Sequence, residues 1–256
     1  MKQFLVQSRK VHFALVLFVL FSAFPARPVY SKVAPGLAGI FSIIPGLGQT
    51  ANGSPGEGVL WFTSSLGLFF SGNPYMQQAG FDLWQYNMYD AYRDAGADDT
   101  APHNVFVNYF NAYNPLNVID PIGGPIVGVA AVYGARNNYP ALKNGAKVAM
   151  YGFVGLGEEG FFRGFLFPAF SDVFFNSKFL GAVTSSAAFA YAHALGGPEN
   201  LSAPVLGQRF LFGMLMCWQL YRNKFDLRNN IFAHTWYDIL VDNGEVIGKM
   251  SYTLHF

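Results

Sequence analysis

The sequence predicts an all-α fold, a polytopic transmembrane helix bundle with a polar intramembrane site, and three observations carry that expectation. Of 256 residues, 52% are hydrophobic, 18% aromatic and only 12% charged, against about 25% charged in a soluble domain. So few charges leave too little polar surface to cover a water-soluble body of this size. Apolar runs of helical length recur through the second half, set apart by Gly, Pro, Asn and Lys/Arg punctuation. Within those runs lie ionisable residues, Glu158, Glu159, Arg163, His193 and His234. Burial of such groups in a low-dielectric interior is costly, and a chain that keeps them there uses them for chemistry. The net charge of +1, with Lys and Arg scattered, gives no basic field and argues against a nucleic-acid partner; the expected surroundings are a lipid bilayer. Cys217 is the single cysteine, which excludes an intrachain disulfide and a cysteine-based zinc site.

The elements follow in order. Lys2, Arg9 and Lys10 precede an apolar run from Phe13 to Phe24, then Pro25 and a small-residue stretch ending Val29-Tyr30-Ser31. That run is short for a bilayer span and suits a signal peptide over residues 1–31, with an uncleaved signal anchor as the alternative. Residues 33–71 read as a short membrane hairpin: two apolar stretches, Val33–Gly48 and Val59–Phe70, flank a turn-rich segment from Gly46 to Gly58. From 72 to 121 the composition turns polar and aromatic. Phe81, Trp84 and Met88 recur at helical spacing and Tyr89 and Tyr92 extend that side, so the expectation is an amphipathic connecting helix, either at the headgroup level or packed within the protein. Residues 122–256 form the core, with apolar helices expected at Pro125–Ala135, Ala146–Gly157 running on through Phe170, Phe179–Leu195, Pro204–Tyr221 and Asn230–Val241.

Helical geometry sorts the charged cluster. Glu159 and Arg163 are four apart and share a face, acid before base, whereas Glu158 points about 100° away from Glu159. One glutamate is neutralised locally and the other is left for work. Gly155, Gly157 and Gly160 either end a helix here, leaving Glu158 solvated, or allow another backbone or a substrate to approach closely. Taken alone, His193 and His234 each read as hydrogen-bonded packing residues. The i,i+4 pair His234 and Asp238, however, sets a carboxylate beside an imidazole, which fixes its tautomer or raises its basicity. Three polar motifs on three apolar helices are hard to explain as packing.

Taken together, Glu158, Glu159 and Arg163 as EExxxR, Phe189 and His193 as FxxxH, and His234 and Asp238 as HxxxN/D resemble the CPBP family of intramembrane proteases, the CAAX-protease and bacteriocin-processing type. The resemblance covers Ala146 to Val241, including Phe212 and Gly213 on the intervening helix. It implies a helical membrane bundle and an endopeptidase in which Glu158 activates water with His193. His234 and Asp238 would complete the site and stabilise the oxyanion, and Glu159 and Arg163 would support the motif. The chemistry is sound on its own terms, because a glutamate in an apolar cavity serves as a base near neutral pH and histidine donors meet a tetrahedral oxyanion. Asp238 stands where asparagine is the other common residue, and an anion there repels an oxyanion unless it is protonated or turned to His234.

The expected reaction uses no cofactor. Zinc is the alternative, with Glu158, His193, His234 and Asp238 as its ligand set, although no HExxH arrangement is present. The expected partners are a peptide or membrane-protein substrate and the bilayer, and the expected location is the bacterial inner membrane. Two other functions compete: a catalytically silent scaffold or immunity-type protein of the same fold, and a transporter using the intramembrane charges. The first has no need of three buried polar motifs. The second predicts duplicated halves, and no internal repeat is found.

Overall fold

A computed structural model describes residues 33–97, 104–194 and 202–242, and the expected signal segment lies outside them. Every regular element among the described residues is helical. The chain divides into two compact units, residues 1–98 and 99–256.

In the first unit, α1 (Pro35–Phe41), α2 (Leu47–Ala51) and α3 (Pro55–Phe69) surround α4 (Pro74–Asp94). Proline opens α1, α3 and α4, where its missing N–H has no helical partner to lose. The glycine-rich turn is a close crossing of backbones. Gly46 has φ +81°, and a Cβ there would sit 1.9 Å from the Gly58 carbonyl oxygen. Polar residues of the same segment reach α4: Gln49 Nε2 donates to Asp90 Oδ2 at 2.9 Å, and the Gly46 N–H donates to Asn87 Oδ1 at 2.9 Å. Trp61 Nε1 also donates to Asp90 Oδ2, at 2.9 Å. Thus α4 is not a helix with one wet face. Asp82, Asn87, Asp90 and Arg93 are buried together with Tyr86 and Tyr89, and the helix forms the middle of this unit.

The second unit contains α5 (Val105–Asn111), a 3-10 turn (Pro115–Ile119), α6 (Gly123–Gly134), α7 (Gly145–Glu158), a π-helical segment (Glu159–Leu166), α8 (Phe167–Val173), α9 (Lys178–Ala194), α10 (Ala203–Arg222) and α11 (Arg228–Val241). The last helix is its axis, packing on α5, α6 and α7. Glycine lets α7 and α11 touch, since a Cβ on Gly155 would meet Thr235 Oγ1 at 2.3 Å. Asp120 ties the start of α6 to the end of α10: its Oδ1 accepts the N–H groups of Ile122 and Gly123 and Gln219 Nε2, and its Oδ2 accepts from Asn223 and Asn229. Lys147 and Asp242, both buried, pair at 2.6 Å and fasten the first turn of α7 to the end of α11.

Two expectations are corrected. Among the described residues no helix is long and apolar enough to cross a membrane, although individual spans were expected. The apolar helices α6, α7 and α11 have 12, 14 and 14 residues, where a span needs roughly 20. The 20-residue α10 carries Arg209, Gln219 and Arg222, and the 21-residue α4 is polar along much of its length. The run from Ala146 through Phe170 is also not one α-helix. It changes winding at Glu159 into π-helix, a wider turn that often marks a functional position.

Candidate active site

Glu158, the last residue of α7, and Glu159, the first of the π segment, both reach His234. The widened backbone of the π segment is held from the side: Ser185 Oγ, on α9, donates to the Phe162 carbonyl at 2.5 Å. Glu159 and Arg163 are fully buried and lie 3.2 Å apart, as the i,i+4 spacing anticipated. Arg163 also lies over the Phe189 ring, with its guanidinium carbon 4.1 Å from the centroid. A buried cation is thereby enclosed between one carboxylate and one aromatic face. Asn230, at the start of α11, donates from Nδ2 to the Met216 carbonyl at 2.8 Å and to Glu159 Oε2 at 3.3 Å. The sequence reading did not include Asn230. Its signal was its place one turn before His234 on the same helical face.

The two histidines come from α9 and α11 and meet the same carboxylate. His193 Nδ1 bonds the Phe189 carbonyl at 2.9 Å; a carbonyl only accepts, so Nδ1 carries a proton and Nε2 faces Glu158 Oε2, 3.5 Å away. His234 Nδ1 lies 2.6 Å from Glu159 Oε1, and its Nε2 lies 3.6 Å from Glu158 Oε2 and 3.6 Å from Asp238 Oδ2. Glu158 Oε2 is buried and makes no hydrogen bond. Such an atom in a native interior calls for a reason, and catalysis is one.

The structure therefore brings Glu158, Glu159, Arg163, His193, His234 and Asp238 to one place in the second unit, but it redistributes their contacts. The carboxylate that holds the His234 ring is Glu159, at hydrogen-bond distance, while Asp238 stands 3.6 Å off its other nitrogen, beyond a bond. Phe212 of α10 packs beside the site, its ring centroid 5.5 Å from that of His234 and 5.1 Å from that of Tyr237.

The ligand-type atoms of this site are Glu158 Oε2, His193 Nε2, His234 Nε2 and Asp238 Oδ2, with the two Nδ1 atoms engaged by the Phe189 carbonyl and by Glu159. In the first unit, Glu57, Asp90 and Asp94 form a separate acidic group whose ligand atoms lie within 4.8 Å of one another. Burial, with the charges of Asp94 and Glu57 adding to it, holds the Asp90 carboxyl well above the usual carboxylate range. The sequence reading did not single out this group, because Glu57 is far in the chain from Asp90 and Asp94.

Comparison with known proteins gives a family match for the second unit. The family described as Rce1-like, type II CAAX prenyl endopeptidase Rce1-like, matches residues 145–240, from the start of α7 to the penultimate residue of α11. No curated protein and no solved structure matches the chain.

Proposed function

We propose, from the match of residues 145–240 to the family described as type II CAAX prenyl endopeptidase Rce1-like, that this protein is a membrane-embedded endopeptidase in which Glu158 and His193 activate a water molecule. The observation that carries the reading is the buried, hydrogen-bond-free Glu158 Oε2, faced by His193 Nε2 at 3.5 Å and His234 Nε2 at 3.6 Å. A carboxylate oxygen so placed is an acceptor that a water molecule would satisfy. Water held there gives a proton to Glu158 while His193 Nε2, its tautomer fixed by the Phe189 carbonyl, orients the nucleophile.

The attacking oxygen bonds to the scissile carbonyl carbon, and the carbonyl oxygen takes the negative charge. His234, protonated on both nitrogens, donates its Nε2–H to that oxyanion. Glu159 on one side and Asp238 on the other stabilise the imidazolium, so Asp238 serves the oxyanion through His234 rather than by touching it. When the C–N bond breaks, the proton on Glu158 passes to the leaving nitrogen and the carboxylate is restored. The proposed reaction uses no metal. Its substrates are peptides or membrane proteins presented at the bilayer, and the short apolar helices sit in the membrane as a bundle.

The test is turnover by full-length protein reconstituted in lipid, with a fluorogenic CAAX peptide as probe. Wild type should release the C-terminal fragment and Glu158→Gln should not. Equal turnover by the two proteins would return the chain to the silent-scaffold alternative.

A further inference from the structure

We propose that one end of the second unit, formed by the turns from α8 to α9 (174–177) and from α10 to α11 (223–227), is the surface that holds anionic phospholipid headgroups, an inference that rests on the membrane-embedded reading above. The two turns meet: Lys178 Nζ lies 5.5 Å from the centroid of the Phe225 ring, and Phe225 stacks on Phe167 of α8 at 5.6 Å. The 3-10 turn before α6 belongs to the same end, because Asp120 accepts from Asn223 and Asn229. Along α10 one stripe marks the level of the bilayer. Leu211, Leu215, Trp218 and Arg222 follow each other at helical spacing and are all exposed, so they share an outward face. Over about 16 Å of helix rise that face passes from aliphatic to aromatic to cationic, the order of hydrocarbon, interface and headgroup met on leaving a membrane. Tyr221, also exposed, stands beside Trp218, and α10 ends at Arg222.

Turn chemistry is a second, independent observation. Phe175 has φ +54° and is 97% exposed. A left-handed position after a helix ordinarily takes glycine, and a bulky side chain there is strained. An exposed ring in water offsets none of that cost, whereas a ring buried among acyl chains does. Val173 and Phe179 are exposed around it, as is Ile119, 82% exposed, on the neighbouring 3-10 turn. The charge at this end is mainly of one sign. The two turns and their flanks carry Lys178, Arg222, Lys224 and Arg228 against Asp172 and Asp226. Of the acids, Asp226 is taken by Arg228, and Asp120 close by is buried under backbone and amide donors. Arg222 and Lys224 are exposed. Apolar side chains ringed by lysine and arginine fit a bilayer surface that bears phosphodiester anions.

The experiment uses full-length protein in vesicles of phosphatidylcholine with phosphatidylglycerol as the minor lipid, the acyl chains of one or the other being brominated in turn. Bromine quenches tryptophan on contact, and the difference between wild type and Trp218→Phe isolates Trp218 from the other tryptophans. Wild type should show phosphatidylglycerol enriched around Trp218 over its share of the bilayer by about 10- to 30-fold, the product of about fivefold for each of Arg222 and Lys224. Molar salt should reduce that enrichment, a response read on wild type alone. Arg222→Gln together with Lys224→Gln should bring the ratio close to one, and Lys178→Gln alone should fall between. Equal quenching by the two brominated lipids in wild type, a salt-insensitive enrichment, or a ratio unchanged in the double variant would each overturn the assignment while sparing the membrane reading. Absence of quenching by either lipid, with the protein still in the vesicles, would give this face to a protein partner and overturn it too. Protein that stays out of the vesicles defeats the membrane reading and this one with it.

Discussion

At the scale of single residues, the two adjacent glutamates have opposite situations although they share one motif. Glu159 is fully buried, tied to Arg163, His234 and Asn230, whereas Glu158 keeps an oxygen with no hydrogen bond. Substitution should separate the two. Glu158→Gln and His193→Ala should abolish peptide cleavage while the protein remains folded, read as turnover against thermal unfolding in detergent. Glu159→Gln or Arg163→Ala should instead lower stability by about 3–5 kcal/mol, because each strands a buried charge. Asp238 discriminates the two forms of the chemistry. Its carboxylate stands 3.6 Å from His234 Nε2, with the ring already held by Glu159, so Asp238→Asn should keep measurable activity and Asp238→Leu should lose most of it. Were Asp238 a zinc ligand, the two variants would fall together, since a neutral amide binds zinc poorly, and chelation would remove activity until zinc was restored.

At the scale of elements, the site depends on close helix contacts and on one change of winding. Gly155 leaves no room for a side chain against Thr235. Gly155→Val should push α7 off α11, moving Glu158 away from His234, and activity should drop by more than tenfold even where far-ultraviolet dichroism stays helical. Loss of the Ser185 hydroxyl from the Phe162 carbonyl in Ser185→Ala should destabilise by about 1 kcal/mol, the value of one buried hydrogen bond. In the first unit the pH dependence has a definite sign. Asp90 has its carboxyl pushed upward by burial and by Asp94 and Glu57, so the folded chain holds this proton more tightly than the unfolded chain. Its contribution to stability is greatest at low pH, beneath the ordinary carboxylate range, and is lost as pH rises from that range through the raised folded value. Asp90→Asn retains an acceptor for Gln49 and Trp61 and should flatten that slope and raise the melting temperature at neutral pH, followed by tryptophan fluorescence.

For the whole molecule, the question is how a chain so poor in charge meets its solvent. Leu37, Ile40, Ile43, Ile44, Val59 and Phe62 are exposed in the first unit, and Val129, Val132, Leu211, Leu215 and Trp218 in the second. Scattered apolar exposure is ordinary, but runs of this kind on helices mark surfaces that meet lipid or another protein. With membrane residence as the proposed state, the protein should stay in the pellet after carbonate extraction and come out only with detergent. A monodisperse full-length protein in plain buffer would reject it.

Much was legible in the sequence because periodicity and motif spacing are local. Four of the five helices expected in the core lie within a few residues of their expected bounds, the run from Ala146 being divided at Glu159, and Glu159 and Arg163 pair because four residues make about one helical turn. Spans of the membrane were not legible, since a run such as Ala146–Phe170 has the composition of one long helix while its charges and its π turn divide it. Nor were the contacts of Asn230 and Phe212, or the choice of Glu159 over Asp238 as the group that holds His234. Those depend on residues distant in the chain arriving at one point, such as Glu159 and His234, 75 positions apart and 2.6 Å from oxygen to nitrogen. The sequence by itself determined helix, motif and residue type, which short-range sterics and burial set. Only the tertiary structure decided which nitrogen faces which oxygen, because that follows from how α7, α9, α10 and α11 pack.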